Sequence, residues 1–253
     1  MFNNEQLNNT ILEFNASDLI VKNRAGKELN SIELAGYIDH TLLKPEALKS
    51  EISRLCNEAN KSGFAAVCVN PCNVELCSRE LFGSTVKICT VIGFPLGSNE
   101  TATKIDETEL ALTSGAQEID MFLNIGRLKE NEQNYVLTEI ASLSELCHKN
   151  NALLKVIIET ALLTDEEKVL ACLLSVEANA DFVKTSTGFS KGGANIFDVA
   201  LMKFTVGNKA RVKASGGIKT YEDAILMILN GASRLGTSSG IQILEKSTSG
   251  SDY

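Results

Sequence analysis

Along most of this chain, short apolar runs rich in Val and Ile alternate with longer stretches whose apolar positions recur at helical spacing. That alternation predicts strands and helices in turn around a parallel sheet. The apolar runs place strands at 37–42, 65–70, 87–94, 118–123, 153–159, 181–185, 211–214 and 233–236. Eight is the count at which a parallel sheet with helical crossovers closes, so the predicted fold is α/β, a (β/α)8 barrel. The intervening helices carry their own signals. Pro45-Glu46 suits a first helical turn, residues 98–113 end at Ser114-Gly115, and Thr164 with Glu167 has capping-box spacing. Thr220 to Asp223 repeats that start signal, and Gly63, Gly115 and Gly231 each lie just ahead of a predicted strand. An open doubly wound sheet would want a GxGxxG turn after its first strand, which is lacking here.

Residues 1–30 break this rhythm. Leu7, Ile11, Phe14, Leu19 and Ile20 form an interrupted helical stripe that ends near Gly26. The expected organisation is therefore an N-terminal helical extension, 1–30, and one barrel domain, 31–253. The extension is expected to pack over one end of the barrel or against a second subunit.

Composition narrows the function. With 253 residues, 44% hydrophobic and 22% charged, the chain can bury a large core as one domain. A net charge of −8 argues against a nucleic-acid partner but leaves room for a locally positive pocket. The polar, Asn-rich start offers no secretory core, and no apolar run approaches bilayer-spanning length. Seven cysteines, an odd number, then read as reduced thiols of a cytoplasmic protein. Cys68, Cys72 and Cys77 are spaced too loosely for a zinc site, and the histidines are only His40 and His148, so no metal is expected.

Candidate chemistry gathers at the C-terminal ends of the strands, where barrels of this kind build their sites. Lys184 follows Phe182 and Val183, and an amine buried there is a candidate nucleophile for carbonyls. A lysine merely snorkelling at a strand end is the plainer alternative. Lys213 falls at the matching level of the next strand, so two ammonium groups would repel and one would lose its proton. Asp120, in an otherwise apolar strand, needs a cationic partner and could move protons; a structural ion pair would explain it equally. Lys155 competes as nucleophile but lies earlier in its strand, with Glu159 as its expected partner. His40 reads as structural, Cys68 as a small packed side chain. Ser215-Gly216-Gly217 and Gly236-Thr237-Ser238-Ser239 follow neighbouring strands, and Gly188 completes a candidate cup. Backbone N–H groups there suit a phosphate, although tight turns alone use the same residues.

These residues sit within a longer series of motifs: Ile38-Asp39-His40-Thr41-Leu42-Leu43-Lys44, Val67-Cys68-Val69-Asn70-Pro71, Gly93-Phe94-Pro95-Leu96-Gly97, Glu118-Ile119-Asp120-Met121, Lys155-Val156-Ile157-Ile158-Glu159, Phe182 to Phe189, Val212 to Ile218, and Leu235 to Ser239. In order, from about 35 to 245, the series closely resembles the deoxyribose-phosphate aldolase family. The resemblance implies a class I aldolase of deoxyribonucleoside catabolism that reversibly splits 2-deoxy-D-ribose 5-phosphate into D-glyceraldehyde 3-phosphate and acetaldehyde. It implies Lys184 as the Schiff-base lysine, with Asp120 and Lys213 as proton donor and acceptor. Gly188, Gly216, Gly217, Gly236, Ser238 and Ser239 match phosphate-binding positions, and Asp39 and Cys68 match pocket residues. It also implies no metal, no organic cofactor, and a homodimer or larger homo-oligomer.

Two departures stand out. The first thirty residues exceed the shorter family members, and Phe189 occupies a position where some relatives carry a basic residue. Lys219 or Lys191 would then offset the phosphate charge. The rival functions are another lysine-dependent sugar-phosphate aldolase or isomerase on the same barrel, and a barrel that only binds a sugar phosphate or a protein.

Overall fold

A computed structural model describes residues 1–23, 26 and 28–246. Eight parallel strands form a closed barrel in sequence order. They are β1 (Ile38–Leu42), β2 (Ala66–Val69), β3 (Lys87–Ile92), β4 (Glu118–Phe122), β5 (Leu153–Ile157), β6 (Phe182–Lys184), β7 (Arg211–Ser215) and β8 (Ala232–Thr237). β1 pairs with both β2 and β8, which closes the ring.

Side chains alternate across each strand, so every second residue faces the helices and the others face the barrel interior. Val67, Val69, Ile119, Met121, Leu154, Val156, Val183, Val212 and Leu235 join the outer core beneath the helices. Their neighbours point inward and divide the interior in two. Against β2 and β3 the filling is apolar: Ala66, Cys68, Cys89 and Val91, closed by Leu43. From β4 round to β1 it is charged, with Asp39, Glu118, Asp120, Lys155, Lys184 and Lys213 all buried.

Several sequence expectations shift in detail. Pro45-Glu46 lies in a turn, and the helix after β1 is Lys49–Ser62. The backbone N–H of Leu48 donates to Glu51, three residues on, so this helix takes its start signal later than the proline. The helix expected at 98–113 is Thr101–Thr113, and a short helix, Ile125–Lys129, follows β4 unannounced. The Thr164 and Thr220 caps form as expected.

The N-terminal stripe is helical only over Asn4–Ala16, capped by Asn3 and Gln6. It docks on the outer flank of the barrel, over neither end. Phe14 is buried with its ring 5.4 Å from Phe197 and 5.7 Å from Phe204, both on the Ile196–Val206 helix. Backbone groups of Phe2 exchange two hydrogen bonds with the Gln133 side chain. Val21 does the same with Asn230, and Leu29 with the Tyr221 hydroxyl. Leu19 is half exposed beyond the helix.

Candidate active site

Strand alternation puts Glu118 and Asp120, Phe182 and Lys184, Arg211 and Lys213, and Arg234 and Gly236 on inward-facing positions two residues apart. Parallel pairing brings them level: Asp120 opposite Lys155, Lys184 opposite Lys213, and Lys213 opposite Arg234. Asp120 is the hub. Its Oδ2 accepts from Lys184 Nζ at 2.8 Å and from Lys213 Nζ at 2.8 Å. Its Oδ1 accepts from Lys155 Nζ at 2.8 Å and lies 3.1 Å from the Cys89 thiol. Lys184 and Lys213 therefore aim at one oxygen from the same face.

Below this hub the charges continue. Lys213 Nζ contacts Asp39 Oδ2 at 2.5 Å, and Arg234 reaches Asp39 at 2.6 Å and Glu118 at 3.0 Å. Lys155 pairs with Glu118 at 2.7 Å. Glu159, its expected partner, turns elsewhere: its backbone adopts a left-handed φ of 52°, and its carboxylate accepts from the Thr187 N–H at 3.1 Å and from its hydroxyl. A buried carboxylate thus steers the loop that carries Gly188.

Burial alone would raise the Asp120 carboxyl, but the ammonium groups of Lys155, Lys184 and Lys213 outweigh it and hold the group well below the carboxylate range. Asp39 behaves alike: burial opposes, Lys213 and Arg234 prevail, and the carboxyl falls to about 2. Lys213 moves the other way. Burial favours its neutral form, yet Asp120 and Asp39 push it above the ordinary lysine range. Lys155 is likewise raised, against burial, chiefly by Asp120. Lys213 and Lys155 are accordingly the fixed cations of the cluster.

Above the cluster opens a cavity of about 290 Å³. Lys184 is the one lysine of the buried cluster that reaches its lining, and Gly188, Gly216, Gly217, Gly236, Ser238 and Ser239 surround it. Gly216 and Gly217 hold φ of 86° and 80°, conformations that cost other residues about 1–2 kcal/mol, and a Cβ on Gly216 would meet the Gly193 backbone at 3.0 Å. Backbone is thus exposed to any ligand entering there. Lys44 and Lys219 line the same cavity, whereas Lys191 does not. Phe189 lies at the rim, its ring 5.3 Å from Phe94 and edge-on to it.

Asp120, Lys213, Asp39 and Cys68 lie beneath the cavity and are not part of its lining. Cys68 is the cross-strand partner of Cys89. His40 is structural in its contacts, with Nε2 2.7 Å from Glu58. The ligand atoms of Cys68, Cys89 and Asp120, and of Asp39, Cys89 and Glu118, approach within 4.8 Å of one another. The Lys155 ammonium already bonds Cys89, Asp120 and Glu118, so a cation of the protein's own fills that space. Arg234 and Glu118 join the cluster without being among the residues that the sequence singles out. The signal is strand alternation: each precedes a candidate site residue, Gly236 or Asp120, by two positions.

Residues 34–246 match the DeoC/LacD family aldolase domain. A Clostridium perfringens protein named deoxyribose-phosphate aldolase is 55% identical over 221 residues, covering 87% of this chain and 98% of that protein. One of the same name from Carboxydothermus hydrogenoformans is 53% identical over 227 residues, covering 89% of this chain and all of that protein. The deoxyribose phosphate aldolase of Aeropyrum pernix, described as having a unique tetrameric structure, superposes with a TM-score of 0.80 at 31% identity, covering 96% of this chain and 97% of that one. With its closed eight-stranded barrel and a family match across most of its length, the chain belongs to the DeoC/LacD family of aldolases.

Proposed function

We propose that this protein is a deoxyribose-phosphate aldolase that cleaves 2-deoxy-D-ribose 5-phosphate through a Schiff base on Lys184. The observation that carries the reading is the position of the Lys184 amine, on the floor of a glycine- and serine-lined cavity and bonded to a carboxylate shared with Lys213. The phosphate settles among Gly188, Gly216, Gly217, Gly236, Ser238 and Ser239, with Lys44 and Lys219 offsetting its charge. The open-chain aldehyde then meets the amine. Attack on C1 gives a carbinolamine, and loss of water gives an iminium, an electron sink two atoms from the bond to be broken. Deprotonation of the C3 hydroxyl breaks C2–C3, glyceraldehyde 3-phosphate leaves, and an enamine remains on Lys184. Protonation at C2 and addition of water release acetaldehyde and restore the lysine. Asp120, a carboxylate at rest, takes a proton by way of water as Lys213, an ammonium at rest, gives one, and the pair returns to its resting charges by the end of the cycle. Asp39 supports Lys213 from below. The imine supplies the electron sink, so the reaction calls on no metal or organic cofactor.

The substrates are a small sugar phosphate and an aldehyde. Assembly as a homodimer or larger homo-oligomer is supported by the tetramer described for the Aeropyrum pernix relative. Among the described residues no helix is long and apolar enough to cross a membrane. The seven free cysteines favour the reducing cytoplasm as its compartment.

Borohydride reduction in the presence of acetaldehyde, followed by peptide mass spectrometry, should add an ethyl group at Lys184. Turnover of 2-deoxyribose 5-phosphate should vanish in Lys184→Ala. An isomerase working by acid–base chemistry alone would give no adduct, and labelling at Lys155 or Lys213 instead would unseat Lys184.

A further inference from the structure

Six charged side chains inside the barrel close a ring in which each member touches two of opposite sign. The order is Asp120, Lys213, Asp39, Arg234, Glu118, Lys155 and back to Asp120. Three carboxylates face three cations, so the ring is neutral by itself. Lys184 attaches from outside, through Asp120 Oδ2 alone. Its ammonium is a fourth cation with no carboxylate of its own, and it alone among the cluster's lysines opens onto the cavity.

We propose that Arg234 and Glu118, at the base of the ring and outside the cavity, act as positioning residues that set the charge balance against which Lys184 serves as a free amine. This deepens the function proposed above and rests on Lys184 being the imine-forming residue. Without the Arg234 charge, three carboxylates face two ring cations, and a proton on Lys184 becomes the balancing charge. Without the Glu118 charge, the ring holds a surplus cation, and the member open to the cavity sheds its proton more readily.

Lys44 and Lys219 share the cavity with Lys184, and the titratable groups of the barrel interior around it come from every strand but its own. They are Asp120 and Glu118 on β4, Lys155 on β5, Lys213 on β7, Arg234 on β8, Asp39 on β1, and the thiols of Cys68 on β2 and Cys89 on β3. Glu159, beyond β5, is committed to Thr187. Lys184, Lys213 and Arg234 are level on successive strands, which places Arg234 about 10 Å from Lys184 at ordinary strand spacing. A unit charge at that distance, at the effective dielectric of a protein interior, moves a titration by about one pH unit.

The test follows the rate of borohydride-trapped acetaldehyde adduct at Lys184 as a function of pH, with melting temperature as a fold control. Arg234→Met should shift the acid limb up by about one pH unit, and Glu118→Gln should shift it down by about as much. Arg234→Met with Glu118→Gln should return it towards wild type, and Arg234→Lys, which keeps the charge, should hold it there. A purely structural role would lower the rate in the single variants without moving the limb in opposite directions. Should Arg234→Met not fold, the downward shift in Glu118→Gln decides, and an unmoved or raised limb there overturns the proposal. Coincident profiles with Lys184 still labelled overturn this proposal alone. A wild-type protein with no adduct at Lys184 overturns the aldolase reading instead.

Discussion

Replacing Gly236 by alanine probes the catalytic geometry without removing any charged group. The added Cβ would lie 2.8 Å from Ser215 Cβ and 3.1 Å from Lys213 Cε. Carbon atoms in contact keep about 3.5–4 Å, so β7 must retreat by about 0.7 Å at Ser215, and the Lys213 stem by about 0.4 Å. Lys213 Nζ bonds Asp120 at 2.8 Å, so the same displacement carries it to the edge of hydrogen-bond reach, about 3.2 Å. Misplacing a catalytic group by about 1 Å costs about 100-fold in rate, so kcat should fall about 10-fold. Overpacking of this kind destabilises by about 1–3 kcal/mol, which leaves a typical domain folded. The assay is cleavage of 2-deoxyribose 5-phosphate, read by coupled reduction of the released aldehyde, beside a thermal melt. Gly63→Ala is the control: φ is 69°, nothing lies within 4 Å of its Cβ, and it closes the Lys49–Ser62 helix far from the cavity. It should lose about 1–2 kcal/mol of stability from backbone strain and no activity. A Gly236→Ala enzyme with wild-type kcat and a lowered melting temperature would show that the Lys213 position does not limit the reaction.

Two further expectations concern stability. Asp39 titrates at about 2 in the fold and at about 3.9 unfolded, so the folded state prefers the carboxylate and its contribution is present above about pH 4. That contribution, about 2 kcal/mol, is lost as pH falls from 4 to 2, with Asp120 acting in the same direction. Urea unfolding at pH 5 and pH 3 should show the loss, and equal stability at both would refute the assignment. Phe14→Ala should release the N-terminal helix from the flank at a local cost of about 3–5 kcal/mol. Hydrogen exchange across residues 4–16 should quicken while turnover persists; unchanged protection there would mean that Phe14 is not the anchor.

The barrel is legible in the sequence because its strands are marked locally, by β-branched runs and, at Gly63, Gly115 and Gly231, by a glycine just ahead of a strand. That Lys184, Lys213 and Asp120 come together is legible because a charged residue within an apolar run needs a partner. What the sequence conceals depends on register between strands far apart in the chain. Proximity in the chain pairs Lys155 with Glu159, four residues away, but its partners Glu118 and Asp120 arrive from the preceding strand. No local pattern marks Arg234, because its contacts, Asp39 and Glu118, lie 195 and 116 residues away. The helix starts at Lys49 and not at Pro45 because a proline suits a turn as readily as a first helical residue. The stripe of the extension suggests packing over one end of the barrel or against a second subunit, but the helix lies on the flank. Its target is the pair Phe197 and Phe204, which no local pattern advertises.

The contact between Asp39 on the first strand and Arg234 on the last has a bearing on how the chain folds. A partly built barrel that still lacks its final strand would have to exclude water from two acids whose shared guanidinium has yet to arrive. Such a half-formed state is penalised, and the penalty vanishes only when the two ends of the sheet meet. The seam therefore ties the two ends of the sheet together, because a barrel parted between them would leave Asp39 and Glu118 without the guanidinium they share.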